Sequence, residues 1–183
     1  MITWQPLSTL SISEIPLKFR DAFTSKDSMT HHFKKQLGTD FHLSLLGQTS
    51  QRLLESESMV LHLDPNEKHV VREIVMGKQD EPWLFARCVL PNNLFSGETA
   101  TLFSTLGQKP LGELLFNDPT LKRSEFEWGI INKEEQDYPL LLSFLTNNTV
   151  IWARRSLFIF KEKPLCLSEF FLPSCQLLNI KNK

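Results

Sequence analysis

Two charged side chains fall where a strand pattern calls for apolar ones. The run Val70-Val71-Arg72-Glu73-Ile74-Val75-Met76 has β composition, and side chains alternate faces along a strand. Parity therefore groups Arg72 with Val70, Ile74 and Met76, and Glu73 with Val71 and Val75. Near the C-terminus, Glu169 shares a face with Leu165, Leu167 and Phe171 in the same way. Such charges can serve a ligand, and an anionic ligand would need a local arginine to hold it. Either charge is costly there unless it is paired or serves a ligand. Parity alone favours a plainer account: a partly solvated face, or an ion pair that serves structure only. Glu73 carries the same ambiguity on the opposite face. Arg87 lies with Trp83, Phe85 and Val89, and Arg154 and Arg155 point to opposite faces, so only one of that pair looks inward. A solvated edge or a structural pair accounts for each.

Other chemistries find no footing. The G-x-x-x-x-G-K phosphate loop and the G-x-S-x-G elbow are both absent. Cys88, Cys166 and Cys175 are odd in number and widely spaced, which speaks against disulfides and for reduced thiols. Cys88 sits in an apolar run and reads as an inert buried thiol. The five histidines make no ligand pattern with the cysteines, and His31-His32 reads as two solvated helix residues, so no metal site is expected.

The elements that would hold Arg72 and Glu169 follow from periodicity and turn chemistry. Ile15-Pro16-Leu17, Phe19 and Phe23 predict a short helix ending near Ser25. Asp27 and Ser28 offer an N-cap, Met29, Phe33 and Leu37 form one stripe, and Gly38 is the stop of a second helix. The sheet begins near 42–46, while 48–68 reads as mostly loop with some strand at 59–63. Strands at 70–76 and 83–90 form an antiparallel hairpin across 77–82, and Pro91 ends it. Ser96 caps a helix to Leu106 with Gly107 as its stop, and Pro110-Leu111 opens a short helix through Phe116. A strand at 123–131 and a strand pair at 150–160 and 165–172, joined by a turn at 161–164, complete the pattern. The tail from 176 to 183 is expected to fray. Neighbouring strands joined by tight turns, with helix pairs between strand groups, give an α+β fold on one antiparallel sheet.

With 183 residues, 41% of them hydrophobic and 14 of them Phe, the chain suits one domain spanning 1–183 with a sizeable core. A net charge of −1 argues against a nucleic-acid surface, so local arginines must hold any anion. The first 16 residues lack a signal-peptide pattern, and no apolar run approaches a membrane span, so a cytoplasmic location is expected.

One set of motifs, in order, resembles the chorismate pyruvate-lyase family. The stretches are Asp27-Ser28-Met29-Thr30, Val71-Arg72-Glu73-Ile74, Glu81-Pro82-Trp83-Leu84, Leu106-Gly107-Gln108-Lys109-Pro110-Leu111-Gly112, Leu115-Phe116, Trp152-Ala153-Arg154-Arg155-Ser156 and Leu167-Ser168-Glu169-Phe170-Phe171-Leu172-Pro173. The match runs from about Ser28 to Cys175 and is thin across 48–68. What the resemblance implies is a buried ligand cavity on the sheet, closed by two helix-turn-helix flaps. It also implies conversion of chorismate into 4-hydroxybenzoate and pyruvate as a first step of ubiquinone synthesis. No cofactor is implied, because the gain of aromaticity drives the reaction. Arg72 would bind the ring carboxylate and Glu169 the hydroxyl at the far end. Met29 and Leu111 would add backbone and apolar contacts, although core packing explains either. Glu169 would act as acid/base, or the C4 hydrogen would pass to the enolpyruvyl methylene in a cyclic step. The protein is expected to work as a monomer without stable membrane insertion.

The stretch 131–149 looks longer than the family pattern, and reads as a surface helix docked on the sheet or as a partner contact. Two non-catalytic readings compete. One is a ligand sensor, since the fold also resembles the effector domain of a family of bacterial transcription regulators; no winged helix fits before Asp27. The other is a carrier that binds aromatic or lipid acids and leaves chorismate intact.

Overall fold

The computed structural model describes residues 2–107, 109–132, 137–145 and 149–177. Among these, eight strands lie in one antiparallel sheet: β1 (Gln5–Pro6), β2 (His42–Arg52), β3 (Lys68–Gly77), β4 (Pro82–Leu90), β5 (Lys122–Arg123), β6 (Glu127–Ile131), β7 (Ile151–Phe160) and β8 (Lys163–Phe171). Their order across the sheet is β1-β6-β7-β8-β4-β3-β2, with β5 also on β7. The β3–β4 hairpin pairs Arg72 with Cys88 and Ile74 with Ala86. The next pairings set Cys88 beside Leu167 and Ala86 beside Glu169. Arg72 and Glu169 therefore lie on one face, as their separate parities left open.

Among the described residues six α-helices cover the sheet: α1 (Arg20–Thr24), α2 (Met29–Leu37), α3 (Glu55–Leu61), α4 (Ala100–Ser104), α5 (Leu111–Leu115) and α6 (Pro139–Leu142). The first two and the fourth and fifth pack on the Arg72 face. Phe23, Met29 and Phe33 join Ile74, Met76 and Phe171 there, and Phe103, Leu111 and Leu115 join Cys88, Phe158 and Leu165. The third and sixth take the other face, where Leu61 meets Val71 and Val89, and Tyr138 and Leu141 meet Phe85 and Phe170. The described part of 131–149 thus docks a helix on the sheet; residues 133–136 and 146–148 lie outside the described residues.

The α2 helix forms as its caps predict: Ser28 Oγ accepts from His31 N–H, and Gly38, at φ 55°, ends it. Elsewhere six boundaries differ from the sequence reading. The expected helix to Ser25 breaks into 3-10 turns, Ile12–Glu14 and Leu17–Phe19, before α1. Pro16 lacks an N–H and forces Ile15 to be extended (ψ 129°). The sheet does not stop near 46: β2 runs on to Arg52 against β3. The strand expected at 59–63 is the end of α3 instead, where Glu57 accepts from its own N-cap, Leu54 N–H, at 3.0 Å. Ser96 does not cap a long helix, because its hydroxyl donates to Asn93 O (2.9 Å), and only Ala100–Ser104 is α-helical. The strand expected at 123–131 is two strands with a break between them. Finally, the last hairpin turns on two residues, Lys161 and Glu162, at φ 47° and 65°, the left-handed pair of a tight hairpin turn. Pro164 is already inside β8, opposite Ile159. Of the tail expected to fray, residues 178–183 lie outside the described residues.

Candidate active site

The two-residue turn decides what faces Glu169. It fixes the register so that Arg154 lies directly opposite it on β7, and Trp128 stands beyond Arg154 on β6. Arg154 Nε donates to Glu169 Oε2 at 2.7 Å, while its Nη1 donates to the carbonyls of Ala22, Phe23 and Ser25 at 2.8–2.9 Å. Arg123 joins the same carboxylate from β5: Nη2 donates to Oε2 at 3.3 Å, Nε to Ser156 Oγ at 2.9 Å and Nη1 to Lys26 O at 3.0 Å. The surroundings of Glu169 are therefore ionic, and the apolar setting read from Leu165, Leu167 and Phe171 is corrected. The Arg123 guanidinium packs against the rings of Phe126 and Phe158, 4.3 and 4.6 Å from their centroids. Burial lowers its pKa to about 10, with Glu169 opposing the shift.

Around this cluster lies a cavity of about 50 Å³. Asp27, Ser28, Thr30, Arg123 and Glu169 form its polar part. Met29, Leu111, Ile74, Met76, Ala86, Leu115, Phe116, Phe158 and Leu167 form the rest. Two helix pairs close over it and meet each other. Lys34 of α2 makes an ion pair with Glu113 of α5. Gly112 lies so close to the first pair that an added Cβ would stand 2.8 Å from Ser28 Oγ.

The structure brings three of the four expected residues, Met29, Leu111 and Glu169, to the cavity wall. Arg72 is on the same face and only 2% exposed, but stands just outside the wall, next in its row to Ile74. Its Nη1 donates to Gln48 Oε1 (3.0 Å) and Gly107 O (2.6 Å), and its Nη2 to Lys109 O (2.9 Å). These partners are neutral, and Nε is buried without one. Burial lowers its pKa too. Arg72 thus ties the α4–α5 connection to the sheet as Arg154 ties the α1–α2 connection.

The opposite face carries its own charges. Arg87 Nε and Nη2 grip both oxygens of Glu57 at 2.7 and 3.1 Å, and Nη1 donates to Glu73 at 3.0 Å. Burial works against the Arg87 charge, yet Glu57 and Glu73 hold its pKa above the ordinary value. Arg155 pairs with Glu127 at 2.7 Å and donates to Ser56 O. The three cysteines are free and buried; burial pushes the thiols of Cys166 and Cys175 up to about 12. No group of three or more His, Cys, Asp or Glu arranged to hold a metal occurs among the described residues.

Arg123 and Arg154 are the residues that sequence reasoning undervalued. For Arg154 the signal was the turn: pairing across a two-residue turn at 161–162 puts it opposite Glu169, whereas a turn at 161–164 does not. For Arg123 the signal misled. Parity across an unbroken 123–131 strand groups it with Glu127. The break at Ser124–Phe126 reverses the alternation, so Arg123 stands opposite Phe158 while Glu127 stands opposite Arg155.

The fold and the sequence agree on kinship. By shape the chain is similar to the C-terminal domain of a histidine utilization repressor from Pseudomonas syringae (TM-score 0.54, 14% identity, covering 78% of this chain and 99% of that one). It is also similar to a GntR-family transcriptional regulator from Bacillus cereus (TM-score 0.53, 10% identity, 79% and 98%). At such identities the likeness shows the fold alone. By sequence it is 33% identical over 165 residues to a chorismate pyruvate-lyase of Hamiltonella defensa, covering 90% of this chain and 83% of that one. It is 33% identical over 152 residues to one of Enterobacter sp. strain 638, covering 83% and 81%. The family model described as chorismate lyase matches residues 1–182. Strands, flaps, cavity-wall residues and sequence kinship lead to one conclusion: this chain belongs to the chorismate lyase family.

Proposed function

We propose that the cavity under the two helix pairs is where this family member eliminates pyruvate from chorismate, leaving 4-hydroxybenzoate. One observation carries the assignment to this cavity. Two buried arginines, Arg72 and Arg154, and a third, Arg123, whose side chain is 9% exposed, stand on its face of the sheet with one buried glutamate, Glu169. Chorismate is a dianion, and its two negative charges complete that balance. The opposite face sets two buried arginines against Glu57, Glu73 and Glu127 and needs no ligand.

In this reading Arg72 takes the ring carboxylate. Its present partners, the carbonyls of Gly107 and Lys109, are neutral, and a carboxylate outcompetes them because its bond to a guanidinium is charge-assisted. Substrate entry then shifts the α4–α5 connection off Arg72, and the same shift enlarges a cavity that is narrow when closed. Glu169 accepts from the C4 hydroxyl at the other end. Met29 and Leu111 hold the ring between them from the two helix pairs.

The reaction breaks the C3–O ether bond, removes the C4 hydrogen and adds a hydrogen to the enolpyruvyl methylene, so the ring becomes aromatic and pyruvate departs. Glu169 Oε2 is already engaged by two guanidiniums, so the carboxylate is tied in place and not left free to swing between the C4 hydrogen and the methylene. Direct passage of the C4 hydrogen to the methylene fits this better than transfer through Glu169. The protein then works by holding the reactive conformer in a dry, charged slot. One domain supplies every group invoked, which supports action as a monomer. Three buried free thiols fit a reducing cytoplasm.

The test is to mix purified protein with chorismate and follow 4-hydroxybenzoate and pyruvate together. Equimolar appearance of both is expected. Binding of 4-hydroxybenzoate with chorismate left intact would instead make the protein a sensor or carrier.

A further inference from the structure

We propose that Arg123 anchors the second carboxylate of the substrate, the one on the enolpyruvyl group that leaves as pyruvate. The proposal rests on the reading of the cavity as a chorismate site and adds a specificity-determining residue to it. Among the described residues Arg123 is the one cation in the cavity wall. It reaches the wall beside Glu169, with 3.3 Å between Nη2 and Oε2. The substrate's own bonding then sets the geometry. The enolpyruvyl ether is on C3, next to the hydroxyl-bearing C4. If Glu169 receives the C4 hydroxyl, the enolpyruvyl carboxylate must lie at the Glu169 end, away from Arg72, and needs a cation there.

Arg154 is unsuited to this task. It does not line the cavity; its Nε is on Glu169 and its Nη1 on the carbonyls of Ala22, Phe23 and Ser25, and its Nη2, though without a partner, is not part of the cavity wall. Arg123 has capacity to spare. A guanidinium carries five N–H donors, and the bonds to Ser156, Lys26 and Glu169 use three of them. Its bond to Glu169 is the longer of the two that Oε2 accepts. The rings of Phe126 and Phe158 pack against its guanidinium, at 4.3 and 4.6 Å, which restrains it before substrate arrives. The consequence is chemical discrimination. Chorismate has this carboxylate and 4-hydroxybenzoate does not, so Arg123 grips substrate and releases its hold once pyruvate leaves, whereas Arg72 grips both.

The test compares two ligands on Arg123→Met and Arg123→Lys. The KM for chorismate and the Kd for 4-hydroxybenzoate, read by tryptophan fluorescence, are measured on each. Loss of a charge-assisted bond predicts a KM for chorismate raised about 10- to 100-fold in Arg123→Met, with the Kd for 4-hydroxybenzoate within about threefold of wild type. Arg123→Lys keeps the charge and recovers part of the KM. An unchanged KM, or an equal weakening of both ligands in Arg123→Met, overturns the proposal. If Arg123→Met does not fold, Arg123→Lys decides by the same comparison: chorismate weakened more than 4-hydroxybenzoate supports it, and both weakened alike overturns it. A wild-type protein that leaves chorismate intact would defeat the proposed function itself, a result distinct from either.

Discussion

The two faces of the sheet bury similar charges and use them differently. On the face under α3 and α6, Arg87 and Arg155 are met by Glu57, Glu73 and Glu127, at 2.7–3.1 Å, and each guanidinium has a carboxylate of its own. On the face under the two helix pairs, Glu169 serves both Arg154 and Arg123, and Arg72 has neutral partners only. Both arrangements bury arginines, so burial alone does not mark a site. The difference lies in what completes them. Side chains complete the first, while the second holds more positive charge than the protein neutralises, beside a cavity. In a buried ion pair of the first kind the charges answer one another, and removing one partner leaves the other uncompensated.

Removing a partner should therefore have opposite consequences on the two faces. The largest effect is expected from Arg87→Met, which leaves Glu57 and Glu73 buried without a cation. It should cost about 3–5 kcal/mol of stability, read as a lower urea midpoint, with kcat/KM of the folded fraction unchanged. Lost turnover at full stability would erase the distinction between the faces. Arg72→Ala should do the reverse. No buried carboxylate depends on Arg72, so the stability loss should be smaller than for Arg87→Met, while kcat/KM for chorismate should fall about 10²–10³-fold. Full activity would remove Arg72 from the site.

Glu169→Gln sharpens the role of the carboxylate. If Glu169 orients the C4 hydroxyl, kcat/KM should fall only about tenfold, against the 10²–10⁴-fold that loss of a proton-transferring group brings. The smallest effect concerns the lid. His32 of α2 is buried, and its Nε2 bonds Ser25 Oγ at 3.0 Å. Burial lowers its pKa below 6.5, although Asp27 opposes this. The unfolded chain then takes up a proton that the folded one refuses, so the contribution of His32 is fully present above pH 6.5 and declines as pH falls. The slope should be at most about 1.4 kcal/mol per pH unit, and His32→Gln should flatten it in urea titrations between neutral and mildly acid pH. An unaltered slope would show that other groups set acid stability.

Much of this was legible in the sequence, for definable reasons. Parity placed Arg72 and Glu169 among apolar neighbours because both lie in regular strand, and Ser28 and Gly38 marked α2 because caps are local signals. What stayed hidden depended on registration between distant segments. Glu57 looked like part of a loop, since α3 is short and its hydrophobic stripe incomplete; it is the match to Arg87, thirty residues on, that explains its burial. Arg123 was hidden by a strand break that inverts parity, and the Arg154–Glu169 pair by a turn two residues shorter than it seemed. Local chemistry reads well from one sequence. Partners across a sheet do not, because a small change in turn length moves every pair.

A crystal structure with 4-hydroxybenzoate bound tests the central claim most directly. The product should lie on the Arg72–Glu169 face between Met29 and Leu111, its carboxylate on the Arg72 guanidinium and its hydroxyl at Glu169, with the carbonyls of Gly107 and Lys109 displaced. Product bound elsewhere, or an Arg72 still capped by those two carbonyls with the ligand in place, would contradict the account.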